Sequence, residues 1–150
     1  MNQSSQPESP PANGVLLHGP LQLGMAEANC WHCKRLTKIV AIIVADIEEF
    51  EDGVSVDAEE EAAYVYGVAE DEMPEILANR LGVLAPNYRP IYSHTMDEIT
   101  WANGCEHCGA LQGAFFLHSE PDSPFFGRPE YFTGERVELV PHNIRLVQES

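Results

Sequence analysis

Two short cysteine units constrain this chain more than any other feature. Cys30-Trp31-His32-Cys33 and Cys105-Glu106-His107-Cys108 share the C-x-x-C spacing, flank residues 34–104, and contain every cysteine in the sequence. A two-residue gap lets one tight turn aim two sulfurs at a single point, while amides inside the turn donate to the thiolates. Two such turns complete a tetrahedral four-sulfur shell, the donor set favoured by structural zinc. Gly109 follows the second unit and can relax the chain where it leaves the turn. The expectation is one structural Zn2+ on Cys30, Cys33, Cys105 and Cys108, although the stretch between the units is longer than in many zinc sites. Two readings compete with it: buried cysteine pairs or local disulfides, and a thioredoxin-like redox pair at Cys30 and Cys33. A redox unit wants a strand just before the motif and a long helix carrying its second cysteine. Here polar MAEAN precedes the motif and a β-branched run follows it, and the second C-x-x-C would be left without a role.

A closed four-sulfur shell has no position for activated water, so a catalytic zinc is disfavoured. His32 and His107 fill the same slot in the two units and are not expected as ligands. Lys34, Arg35 and Lys38 include both lysines of the chain and form its one concentrated basic cluster. They either screen the negative charge of a four-thiolate zinc or make a solvated basic turn.

The sequence around these units reads as mostly strands. Thr37–Ile47 is a dense β-branched run whose continuous apolarity implies burial on both faces. Residues 14–24, broken by Gly19 and Pro20, suggest a short strand or hairpin, and Ala62–Val68, Ile91–Ser93, Gly113–His118, Val137–Val140 and Ile144–Val147 suggest further strands. Asp52-Gly53 is a turn signal. One short helix is expected over 73–82, with Met73, Ile76, Leu77 and Leu81 on one face, Pro74 in its first turn and Gly82 at its exit. The fold class is α+β: a strand-dominated, zinc-ribbon-like single domain over 14–150. Residues 1–13 are polar, carry three prolines and are expected as a disordered tail. That opening segment has neither a basic start nor an apolar stretch of the secretory kind, so the chain is expected to be cytoplasmic.

Charge narrows the partners. With 8 Lys+Arg against 24 Asp+Glu, the formal net charge is −16, which argues against direct nucleic-acid binding and against anionic membrane surfaces. Twelve acids and no Lys or Arg fall between Asp46 and Glu72, read here as an acidic insertion between the cysteine units. Acidic runs are usually solvated, but segregation this strong also suits a basic protein partner, with Glu59, Glu60 and Glu61 at its centre. The proline-bounded Ser123-Pro-Phe-Phe-Gly-Arg-Pro129 loop adds Phe125 and Phe126, which cannot easily both point inward, so one is a candidate anchor. The other aromatics near the cysteines are expected to pack around the metal.

The segment Trp101–His118, WANGCEHCGALQGAFFLH, together with the earlier Cys-Trp-His-Cys and its following strand, resembles a group of small bacterial zinc-ribbon-like proteins. The resemblance covers roughly residues 29–48 and 88–127 and is most specific over Asn103–Gly113. It implies the same four-cysteine zinc site and carries no reaction with it.

Two function classes follow. The first is a non-catalytic structural-zinc protein acting as a protein-interaction module, through an acidic face towards a basic partner, as an inhibitor, immunity protein or mimic would. The second is a small enzyme, a hydrolase for example, using His94 and His118 with Asp97, Glu98 or Glu120 beside a structural zinc. A pocket where histidine and carboxylate converge favours the second.

Overall fold

The computed structural model describes residues 14–59 and 61–147; the expected tail at 1–13 lies outside them. Sequence order runs β1 (Gly14–His18), β2 (Leu21–Asn29), β3 (Leu36–Val44), β4 (Asp46–Glu51), β5 (Val54–Glu59) and β6 (Ala63–Val65), then helix α1 (Glu75–Leu84). It continues through β7 (Tyr88–Ser93), β8 (Glu98–Gly104), β9 (Leu111–Gln112), β10 (Glu135–Val140) and β11 (Ile144–Val147). Strands therefore dominate, as expected. Among the described residues, no helix is long and apolar enough to cross a membrane.

Two four-stranded sheets carry most of the strands, in the orders β11-β1-β4-β5 and β10-β2-β3-β6. Each strand of the first is consecutive in sequence with the strand at the same place in the second. The pair is thus one antiparallel four-stranded array folded along a crease. The chain crosses that crease at Gly19-Pro20, at Ala45 and at Pro141–Asn143, and the crossings bind one another. Ala45 N–H donates to the His18 carbonyl at 2.9 Å, and Gly19 N–H donates to Asn143 Oδ1 at 2.8 Å. A Cβ on Gly19 would stand 2.5 Å from the His142 carbonyl oxygen, so this crossing requires glycine.

The crease corrects two expectations. Residues 14–24 contain two strands, but β1 and β2 do not pair with each other; β1 pairs with β4 and β11, and β2 with β3 and β10. The β-branched run is likewise two strands, since it breaks at Ala45 and Ile47 belongs to β4. Its core half is buried on both faces. Val40, Ile42 and Val44 join the main core with Leu17, Leu23 and Leu139, whereas Ile39 and Ala41 meet Leu117 and Phe125 on the other side. The acidic residues 46–72 supply β4, β5 and β6 and so are built into both sheets. Asp52 and Gly53, both at positive φ, turn β4 into β5 between the paired Glu51 and Val54.

Helix α1 lays Leu77 and Leu81 into the main core. It starts after Pro74, runs through Gly82 to Leu84 and leaves Ile76 exposed, so the expected exit and one face position shift. A third sheet, β7-β8-β9, follows, with Pro90 in its edge strand β7, where a missing N–H costs no pairing. Beyond β9 the expected strand over Gly113–His118 is instead a wide helical turn, Phe115–Ser119. It is closed by Leu117 N–H to the Gly113 carbonyl and Glu120 N–H to the Phe115 carbonyl, which buries Leu117 and exposes Phe115. Apolar residues at these positions follow the packing of Leu117 against β3 and not a strand's alternation.

Candidate metal centre

The two cysteine units are the tips of two hairpins, β2–β3 and β8–β9, and they have the same backbone design. In the first, the last strand pair is Asn29 with Leu36, Cys30 N–H donates to the Arg35 carbonyl at 2.8 Å, and Lys34 N–H donates to the Cys30 carbonyl at 2.9 Å. In the second, Gly104 pairs with Leu111, Cys105 N–H donates to the Ala110 carbonyl at 2.9 Å, and Gly109 N–H donates to the Cys105 carbonyl at 2.9 Å. The residue after the second cysteine takes positive φ in both, +68° at Lys34 and +80° at Gly109. His32 and Cys33 amides donate to Cys30 Sγ at 3.3 and 3.4 Å, and the His107 amide donates to Cys105 Sγ at 3.3 Å.

The tips meet face to face. Cys30 Sγ lies 3.6 Å from Cys108 Sγ, Cys33 Sγ lies 3.7 Å from Cys105 Sγ, and all four sulfurs stand within 4.8 Å of one another. Cys30 and Cys105 are buried, Cys33 is half-buried and Cys108 is exposed. This is a group of donors placed to hold a metal ion. Each tip also bonds to the other hairpin: Trp31 Nε1–H donates to the Leu111 carbonyl at 2.6 Å, and His107 Nε2 lies 2.9 Å from the Leu36 carbonyl. Glu106 N–H donates to Thr37 Oγ1, and Lys38 N–H donates to the Glu106 carboxylate, each at 2.9 Å.

Four thiols so close cannot all ionise unaided. Burial pushes the Cys30 thiol up, but the amides of Cys33 and His32, the Gln112 side chain and Cys108 outweigh it, bringing Cys30 down to about 6. At Cys108 the Ala110 amide favours the thiolate, but burial and the three neighbouring sulfurs win, raising it to about 11. The surroundings thus favour thiolate at Cys30 and oppose it at Cys108, and filling the set with thiolates calls for a cation at its centre.

Gln112, Asn103 and Thr37 are the residues that sequence reading missed, and all three are buried polar side chains. Gln112 Nε2 donates to Cys30 Sγ at 3.3 Å and to the Ala110 carbonyl at 2.9 Å. Their signal was position, since each stands within a few residues of a cysteine on the strand that carries it. Within the basic cluster, Lys34 Nζ donates to the Trp31 carbonyl at 2.7 Å. Trp31, Phe115 and Tyr131 are exposed and do not form an apolar shell around the site.

The other candidate residues are scattered. Phe125 is completely buried against Tyr64, His118 and Phe132, which removes it as a partner anchor; Phe126, half-exposed, keeps that possibility. Glu61 is ion-paired with Arg128, and the side chains of Glu59 and Glu60 lie outside the described residues. His18 contacts Asp46 and Glu48. His94 is exposed and set edge-on to Tyr92, while His118 sits among Tyr64, Tyr66 and Phe125. Among the described residues neither histidine pairs with a carboxylate, so the acid–base arrangement weighed from sequence is not assembled. Comparison with known proteins finds no matching family model, no matching curated protein and no matching solved structure.

Proposed function

We propose that this chain is a zinc-ribbon-like protein in which Cys30, Cys33, Cys105 and Cys108 hold one structural Zn2+, and that it works as a non-catalytic protein-interaction module. The observation that carries the reading is the convergence of four sulfurs from two hairpins of the same design. A tetrahedral zinc with Zn–S bonds of about 2.3 Å has S···S edges of about 3.8 Å, and the two cross-hairpin contacts are 3.6 and 3.7 Å. The soft all-thiolate set suits zinc, the amide donors stabilise its charge, and the shell leaves no open position for substrate. The metal's task is then to tie β2–β3 to β8–β9. A reducing, cytoplasmic setting fits thiols kept for metal. The kinship with small bacterial zinc-ribbon-like proteins belongs to the same proposal.

The interaction half rests on β5 and its surroundings. β5 is an edge strand with Val54 and Val56 exposed, at 62% and 53%, and Glu49 and Glu51 are exposed on neighbouring β4. An open edge beside acidic side chains suits a basic segment added as a further strand. Native capture at low salt tests this, followed by a salt series with the wild-type chain and with Glu49→Gln/Glu51→Gln. The partner should be released by salt and held less by the variant. A partner retained equally by both would sink the acidic-face reading while leaving the zinc reading intact.

A further inference from the structure

Between β3 and β6 on one side and β7–β9 with the Phe115–Ser119 turn on the other lies a cavity of about 380 Å³, at the small end of the range for small-molecule sites. Charged side chains avoid it. They make up 21% of the chain, yet no Asp, Glu, Lys or Arg is among the twenty described residues lining the space. Its polar side chains are engaged elsewhere. Both polar atoms of the Asn103 side chain pair with the Val40 backbone, Gln112 Nε2 donates to Cys30 Sγ and the Ala110 carbonyl, and Ser93 Oγ accepts from the Met96 amide at 3.2 Å. Tyr88 Oη, Trp101 Nε1, Gln112 Oε1 and His118 Nδ1 are sealed inside the walls with essentially no accessible surface. These side chains therefore present the cavity chiefly with carbon.

The rim has the same character. Tyr66, Met96 and Phe115 line the cavity while being 51%, 50% and 69% exposed, so large apolar side chains stand in water where the space opens. Tyr66, Tyr88, Trp101 and Phe115 make a fifth of the lining aromatic, against 9% for the whole chain. Aromatic walls favour ring ligands, because offset and edge-on ring contacts add to apolar burial. An ion entering would lose its water and meet no opposite charge on the described walls. Burial also keeps His118 neutral, pulling its pKa down to about 4. We infer that this cavity binds a small, uncharged aromatic molecule, held by apolar and ring contacts and covered at the rim by Tyr66, Met96 and Phe115. The inference does not depend on the zinc or partner reading.

The test uses the full chain purified without chelator and N-phenyl-1-naphthylamine, an uncharged probe that fluoresces in apolar surroundings. One saturable site per chain is expected, with amide NMR shifts on binding concentrated at Val65–Gly67, Ala102 and Gly113–Phe115. 1-Methylnaphthalene should displace the probe. 1-Naphthylmethylammonium should not, although a net charge of −16 draws cations to the chain. The double variant Tyr66→Ser/Phe115→Ser removes exposed rim side chains and should weaken the probe about tenfold or more. Absence of saturable binding would overturn the proposal, as would displacement by the ammonium compound at the same concentration as by 1-methylnaphthalene. Shifts in the wild-type chain that fall away from the cavity, or affinity unchanged in a folded double variant, would place the probe elsewhere and overturn it equally.

Discussion

The side-chain amide of Asn103 pairs with the backbone of Val40 as a strand residue would, accepting from its N–H and donating to its carbonyl, each at 2.9 Å. β6 reaches only Ile42–Val44 of β3, so beyond its end the edge of β3 needs another partner. Asn103 supplies it from β8, two residues before Cys105. This amide therefore fixes the second cysteine hairpin to the strand that follows the first.

Asn103→Ala leaves the Val40 N–H and carbonyl buried and unpaired. It should lower the stability of metal-loaded protein by about 2–4 kcal/mol, measured as a shift in urea midpoint. A loss below about 0.5 kcal/mol, the range of ordinary surface changes, would show that the contact is incidental.

The matching positions Lys34 and Gly109 offer a paired comparison, because both adopt positive φ. Gly109→Ala meets no closer atom than Arg89 Nη2 at 3.7 Å, so its cost is backbone strain of about 1–2 kcal/mol. Lys34→Gly relieves the same strain, but glycine's extra freedom in the unfolded chain offsets part of it, leaving a gain of under about 1 kcal/mol. Opposite signs in denaturant unfolding are expected; a loss in both variants would contradict the equivalence of the two tips.

His118 provides the pH dependence. Burial pulls its pKa from 6.5 to about 4. As pH falls from 6.5 towards 4, the unfolded chain takes up a proton that the folded chain refuses, so stability falls with acid across that window. Thiolate protonation also weakens metal-loaded protein in acid, but it does so with or without this imidazole. The urea midpoint of His118→Phe should therefore decline less steeply between pH 6.5 and 4 than that of the wild type. Identical slopes would mean that the imidazole is protonated in the folded state.

The cysteine cluster was legible in sequence because its chemistry is local: two residues of spacing fix where two sulfurs point. What Asn103 and Gln112 do was not, because their partners, Val40 and Cys30, are 63 and 82 positions away and are set by which strands face each other. The same limit applies to Phe125 and Phe126. One of the two had to turn inward, but only the packing of Phe125 against Tyr64, His118 and Phe132 decides which. Charge alone did not place residues 46–72 in the fold. Their place comes from strand pairing: β4 pairs with β1 along its length, and β5 and β6 extend the two sheets. The split at Ala45 had no signal in a run of β-branched residues, because a crease depends on the second sheet it turns towards.

The central claim is that Cys30, Cys33, Cys105 and Cys108 hold one zinc that the fold depends on. Structural zinc contributes on the order of 10–16 kcal/mol of apparent binding energy, as much as the whole stability of many domains. The most direct measurement is elemental analysis of full-length protein purified without chelator, taken on the same sample whose folding is followed by circular dichroism during chelator titration. One zinc per chain is predicted, with structure lost as the zinc leaves. Metal-free protein that is fully folded and insensitive to chelator would contradict the account.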